Sequence, residues 1–184
     1  MRLPLRIRRC LAGLSLQIAI LPGIAFPQSS AVSDYQVKAA YLYNFAKFVE
    51  WPSDQFGSQS AAFRFCVLDD DSFEAALNQI VKDKTVAGRS IQIVHVHSPE
   101  QSRNCHILFV NSSHRNDWQQ LIKTLHDTSV LTVGEAKGFV EQGGMIDFIL
   151  QDNHVHFEVN HRAAADAGLH ISARLLSVAK RVVE

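Results

Sequence analysis

AFRFCVLDDDSFEAALNQIVKDKTVAGRSIQIVHVHS, Ala62 to Ser98, changes periodicity twice, and those changes set the fold class. AFRFCVLD, Ala62 to Asp69, is an unbroken apolar run of strand length, the pattern of a strand buried on both faces. SFEAALNQIVKD, Ser72 to Asp83, spaces its apolar residues as a helix does, with Ser72 placed to cap it. RSIQIVHVHS then alternates, with Ile91, Ile93, His95 and His97 on one side and Gln92, Val94 and Val96 on the other. Strand, helix, strand at this spacing is the rhythm of a parallel sheet.

The rhythm continues toward the C-terminus. CHILFVNS, Cys105 to Ser112, reads as a second buried strand, and HRNDWQQLIKTLHD as an amphipathic helix with Trp118, Leu121, Ile122 and Leu125 on one side. SVLTVGE is a short strand, AKGFVEQGG a short helix or turn, and GMIDFILQDNHVHFEVN two strands about an Asp152-Asn153 turn. HRAAADAG is a helix ended by Gly168. ISARLLSVAKRVVE reads as a last helix, capped by Ser172, with Ile171, Leu175, Val178, Ala179 and Val182 as its apolar stripe. The expected fold is a single-domain three-layer α/β sandwich, with a mostly parallel sheet, helices on both faces and a C-terminal antiparallel hairpin at one edge.

The N-terminal part is of two kinds. MRLPLRIRRC carries arginines and no acid, LAGLSLQIAILPGIAF is apolar, and PQSSAVS offers small residues, which is the layout of a secretory signal peptide. Cleavage is expected after Ala25 or, preferably, Ala31, giving a leader over 1–31 and a domain over 32–184. Removing the four arginines of the leader leaves 14 basic against 18 acidic residues, so the mature chain is mildly acidic. It keeps no basic run, and clustered Lys and Arg are what nucleic-acid binding requires, so no nucleic-acid partner is expected. The next stretch, YQVKAAYLYNFAKFVEWP from Tyr35 to Pro52, is an amphipathic helix too short and too charged to span a bilayer. At 100° per residue its apolar positions, among them Tyr41, Phe45 and Phe48, cover about 200°, with Lys38 in their midst. So wide a face predicts burial on two sides, one against the sheet and one against a second subunit or partner.

Chemistry is sparse. Of three cysteines, Cys10 leaves with the leader; Cys66 and Cys105 are either a disulfide, which an oxidising compartment favours, or two buried thiols. Asp69, Asp70 and Asp71 read as a solvated turn, because the receiver-like alternative needs an aspartate where the chain has Asn111. His95 with His97, and His154 with His156, each place two imidazoles on one side of a strand. Spacing fixes no third or fourth ligand, so no metal centre or other cofactor is expected. There is no GxSxG elbow, HExxH helix, CxxC pair or phosphate-binding glycine loop. No catalytic set converges, and an enzyme is not expected.

Two segments together carry a resemblance. VKAAYLYNFAKFVEWP behind the leader, and GGMIDFILQDNHVHFEVNHRAAADAGLHISARLLSVAKRV at the C-terminus, resemble the YfiR-like periplasmic repressors, with FRFCVLDDDSF, CHILFV and TVGEAKGF in the family's order between them. The resemblance implies a periplasmic, non-catalytic and usually dimeric protein that holds an inner-membrane diguanylate cyclase inactive through the cyclase's periplasmic sensor region. Cyclic-di-GMP and biofilm formation would then be controlled from outside the cytoplasm, with release by stress or by an outer-membrane lipoprotein. It also implies that Cys66 and Cys105 are bridged, while an additional cysteine pair of some relatives has no counterpart here. Its C-terminal motif includes Met145, Phe148, Phe157, Glu158, Asn160, Leu169, Ser172, Leu175 and Leu176. With Tyr41, Phe45 and Phe48 these are the candidate partner or dimer contacts, against the plainer reading of them as core, strand-edge charge (Glu158) or the packed face of the last helix (Leu175, Leu176). A periplasmic module binding a small solute or cell-wall fragment is the alternative reading.

Overall fold

The structure, a computed structural model, describes residues 33–58, 60–135 and 137–184; the expected leader lies outside them. Helix α1, Asp34–Phe48, starts at a capping box in which the Ser33 side chain accepts from the Gln36 N–H and Gln36 reaches back to Ser33. The chain then leaves the helix, and Val49–Glu50 forms β1, shorter helix than the Tyr35 to Pro52 stretch suggested. Strand β2, Phe63–Leu68, helix α2, Asp71–Val81, and strand β4, Arg89–Val96, realise the βαβ unit, with β3, Thr85–Val86, folded back on β4. There follow β5, Ile107–Val110; α3, Trp118–Leu125; β6, Leu131–Gly134; β7, Ile146–Gln151; and β8, His154–Asn160. The chain ends with α4, His161–Asp166; β9, His170–Ile171; α5, Ala173–Leu176; and β10, Arg181–Val183.

Among the described residues the main sheet has the order β10-β8-β7-β6-β5-β2-β4-β3. From β4 through β7 it is parallel, and in that stretch the strands run 2-1-3-4-5 in chain order, a common doubly wound arrangement. β1 and β9 form a separate antiparallel pair, Val49 opposite Ile171.

Two clusters of buried side chains account for the layers. Phe65 and Val67 of β2, with Ile107 and Phe109 of β5, pack under Phe45 of α1 and Phe73 and Leu77 of α2. Cys66 and Leu68, with Leu108 and Val110, face Trp118, Leu121 and Leu125 of α3 on the other side. A strand buried on both faces has no polar face, which is why β2 reads as an apolar run.

Several expectations change. The α2 cap is Asp70, whose Oδ1 accepts the Phe73 N–H at 3.0 Å, not Ser72. Asp70 is 7% exposed, so the triple-aspartate stretch is only partly a solvated turn. The expected C-terminal helix lasts from Ala173 to Leu176, capped by Ser172 as read, before the chain extends into β10. β10 pairs in parallel with β8, so the β7–β8 hairpin lies inside the sheet rather than at its edge. The hairpin turn itself is as read, with Asp152 and Asn153 at φ 50 and 60.

Candidate functional site

In a 2-1-3-4-5 sheet the chain leaves the first and third strands in opposite directions, and a crevice opens beyond their carboxyl ends. Here those strands are β2 and β5, and the residues delivered there are polar. Asp69, Asp70 and Asp71 follow β2, Asn111 follows β5, Glu135 follows β6, and α1 adds Tyr35 and Lys38.

Asp70 is the fixed centre. Besides the Phe73 N–H, it accepts the Tyr35 hydroxyl at 2.9 Å and the Asn111 amide at 3.1 Å, both on Oδ2. Burial, then that hydrogen bond and the neighbouring carboxylates, pushes the Tyr35 phenol above its ordinary range. Beside it Lys38 Nζ meets Glu135 Oε2 at 2.8 Å, with side-chain exposures of 14% and 8%.

Histidines gather on the outer side. The β2–β4 register sets Leu68 beside Val96, and the Asp69 N–H continues the ladder onto the Val96 carbonyl at 3.1 Å. Asp69 therefore sits between His95 and His97. His97 Nδ1 lies 2.6 Å from Asp69 Oδ1, His95 Nε2 lies 3.7 Å from the same oxygen, and His114 Nε2 lies 4.0 Å from Oδ2. The His97 hydrogen bond holds the Asp69 carboxyl below its usual range. His95 Nδ1 is 2.8 Å from Glu74 Oε2, a hydrogen bond that raises the His95 pKa, with Asp71 at 3.4 Å. One ligand atom each from Asp69, His95 and His97 can be chosen within 4.8 Å of one another, and likewise from Asp71, Glu74 and His95. Sequence spacing supplied the His95–His97 pair but not Asp69, which a parallel partner strand brings alongside. No comparable grouping forms around His154 and His156 among the described residues.

The candidate contact residues divide differently. Phe45, Met145, Phe148, Phe157, Leu169 and Leu175 are buried in the chain's own core. Phe45 lies 5.7 Å from Phe148 and 5.1 Å from Phe157 between ring centroids. Three polar members do local work. Asn160 caps α4 by accepting the Ala163 N–H and donates to the Val140 carbonyl; Ser172 accepts the Leu175 N–H; Glu158 pairs with Arg181, which also holds Glu141. Tyr41, Phe48 and Leu176 are half-buried, at the rim of the core. Cys66 and Cys105 form a disulfide, with Cα atoms 6.0 Å apart. Among the described residues no helix is long and apolar enough to cross a membrane.

These features define a doubly wound α/β domain with a polar, histidine-rich rim at the carboxyl end of its sheet. The chain belongs to the YfiR/HmsC-like family (DUF4154), whose family model matches residues 35–180. The YfiR-like family is one of periplasmic regulatory proteins. No curated protein matches the chain. Among solved structures, a conserved domain protein of Vibrio cholerae O1 biovar El Tor is similar at a TM-score of 0.59 and 10% identity, covering 82% of this chain and 60% of its own. An ABC domain in complex with L-Trp from Streptococcus pneumonia is similar at a TM-score of 0.49 and 10% identity, covering 66% of this chain and 55% of its own. The chain thus spans 60% or less of the length of these two structures, and the Vibrio likeness concerns the fold alone.

Proposed function

We propose that this protein is a periplasmic repressor that binds the sensor region of an inner-membrane diguanylate cyclase and holds it inactive by contact. The observation that carries the reading is the family match over residues 35–180. On this reading the protein is exported by its leader, acts as a homodimer, and is withdrawn from the cyclase by an outer-membrane lipoprotein, so that cyclic-di-GMP and biofilm formation rise. A contact of this kind needs accessible apolar area. Leu150, 57% exposed, supplies it on the β7 face shared with Phe148, whose ring lies 6.1 Å from that of half-buried Tyr41. Tyr41 and Leu150 are therefore the proposed contact, with the buried aromatics fixing its shape.

The test is co-expression with a cyclase carrying a periplasmic sensor region. Deleting the repressor should raise cyclic-di-GMP only when that cyclase is present. Leu150→Asp should fold, by circular dichroism, yet fail to co-purify with the sensor region and fail to lower cyclic-di-GMP. Unchanged cyclic-di-GMP on deletion would sink the proposal.

A further inference from the structure

The geometry points to a metal site that the repressor reading does not use: we propose that Asp69, His95 and His97 bind a divalent transition ion of the zinc class, with His114 as fourth ligand. The proposal stands independently of the cyclase partner.

Three ligand atoms, from Asp69, His95 and His97, are already grouped, and His114 would join them by a side-chain shift. His97 Nδ1 and His95 Nε2 lie 2.6 and 3.7 Å from one oxygen of Asp69, and His114 Nε2 lies 4.0 Å from the other. A tetrahedral zinc ion with ligands at about 2.0–2.2 Å sets neighbouring ligand atoms roughly 3.3 Å apart. The His95 and Asp69 atoms need move only a few tenths of an ångström to meet that spacing, while His97 must swing outward on an exposed side chain. The groups converge from three chain segments, namely the end of β2, the end of β4 and the segment Ser112–Asp117 that follows β5.

At His95 the ring is held as a metal site requires, whereas His97 Nδ1, which donates to Asp69, gives up its proton when the ion binds. A metal-binding imidazole usually donates its other N–H to a carboxylate, which orients the ring and leaves the ligating nitrogen free. His95 does this: Nδ1 is engaged by Glu74 Oε2 at 2.8 Å, so in the neutral ring the proton stays on Nδ1 and Nε2, 3.7 Å from Asp69, is the nitrogen free to ligate. Glu74 is thus a positioning residue rather than a ligand. Imidazole nitrogen selects zinc, copper and nickel over magnesium and calcium, which prefer all-oxygen sites. Bound there, the ion would tie the β2 and β4 ends to the segment after β5, across the mouth of the crevice.

The experiment is calorimetric titration of the chelator-treated chain with Zn2+. One equivalent should bind in the micromolar range or tighter, and Mg2+ should not compete. His97→Ala and Asp69→Asn should each weaken binding by about tenfold or more. Both positions tolerate the change, since these side chains are 70% and 39% exposed and Asn accepts the positive φ of 45 at residue 69. Glu74→Gln should retain one equivalent but shift the visible absorption of bound Co2+, which a loss of general stability would not do. His154→Ala/His156→Ala should bind as the parent does. Zinc affinity unchanged in His97→Ala and Asp69→Asn, or lost in His154→Ala/His156→Ala, overturns the proposal.

Discussion

His106 is 4% exposed, stacked against the rings of Phe56 and Phe63 at centroid distances of 4.6 and 4.7 Å. Its Nδ1 accepts the Arg64 backbone N–H at 2.9 Å, so when neutral it carries its proton on Nε2. Burial first, and then the charges of Arg64 and Arg89, push its pKa down to about 4 from 6.5. The folded state keeps this imidazole neutral where the unfolded chain protonates it, so its contribution is fully present above pH 6.5 and is lost as pH falls toward 4. Linkage puts the loss at roughly 2 kcal/mol by about pH 5. Urea unfolding at neutral and mildly acidic pH should show it as a falling midpoint. His106→Gln, which retains an acceptor for the Arg64 N–H, should show a pH slope smaller by about that amount. An unchanged slope would place the acid sensitivity elsewhere.

At the scale of elements, α1 was legible in period but not in partner. Its buried residues are Ala39, Leu42, Phe45 and Ala46, one stripe against the sheet, while Tyr41 and Phe48 stay half-buried beside it. Lys38, which sat among apolar positions in projection, pairs with Glu135 from the end of β6, a contact that no local pattern announces. The last segment departs from its sequence pattern for a related reason. Its apolar spacing fits a helix, yet α5 stops at Leu176, and Arg181, Val182 and Val183 pair with Glu158, Val159 and Asn160. An open β8 edge and two acceptors for Arg181, Glu141 and Glu158, outweigh a local periodicity over so few residues. The Lys38–Glu135 pair is testable in the same terms. Removing one partner of a largely buried pair leaves an uncompensated charge, whereas removing both does not. Lys38→Met should therefore destabilise the fold by about 3 kcal/mol or more, and Lys38→Met/Glu135→Gln by distinctly less, in a double-mutant cycle followed by urea unfolding. Equal losses in the two variants would mean that α1 docking depends on packing alone.

Over the whole molecule, the sheet core follows from sequence and the disulfide was one of two readings the cysteines allowed, whereas the crevice needed the fold, since Asp69, His95, Asn111 and Glu135 meet only once the strand order is known. The disulfide joins β2, an interior strand of the sheet, to the residue two positions ahead of the neighbouring β5, over a separation of 39 residues. Closing a loop of that length stabilises by about 4 kcal/mol in the chain-entropy model. Cys66 and Cys105 are 0% and 3% exposed and lie in the cluster that α3 covers. A reductant reaches them only when that layer opens, so reduction of the folded protein should be slow and should accelerate with urea in step with unfolding. Once reduced, the chain keeps its packing but loses the constraint, and its melting temperature should fall by roughly 10 °C, given about 2–4 °C per kcal/mol for a domain of this size. Mass-tag quenching of free thiols against time, with calorimetry of both forms, measures the two quantities. Rapid reduction without urea, leaving the melting temperature unchanged, would show that the bridge is neither shielded nor structural. Slow reduction together with a large fall in melting temperature means that redox control through this pair acts on the stability of the whole domain rather than on a surface loop.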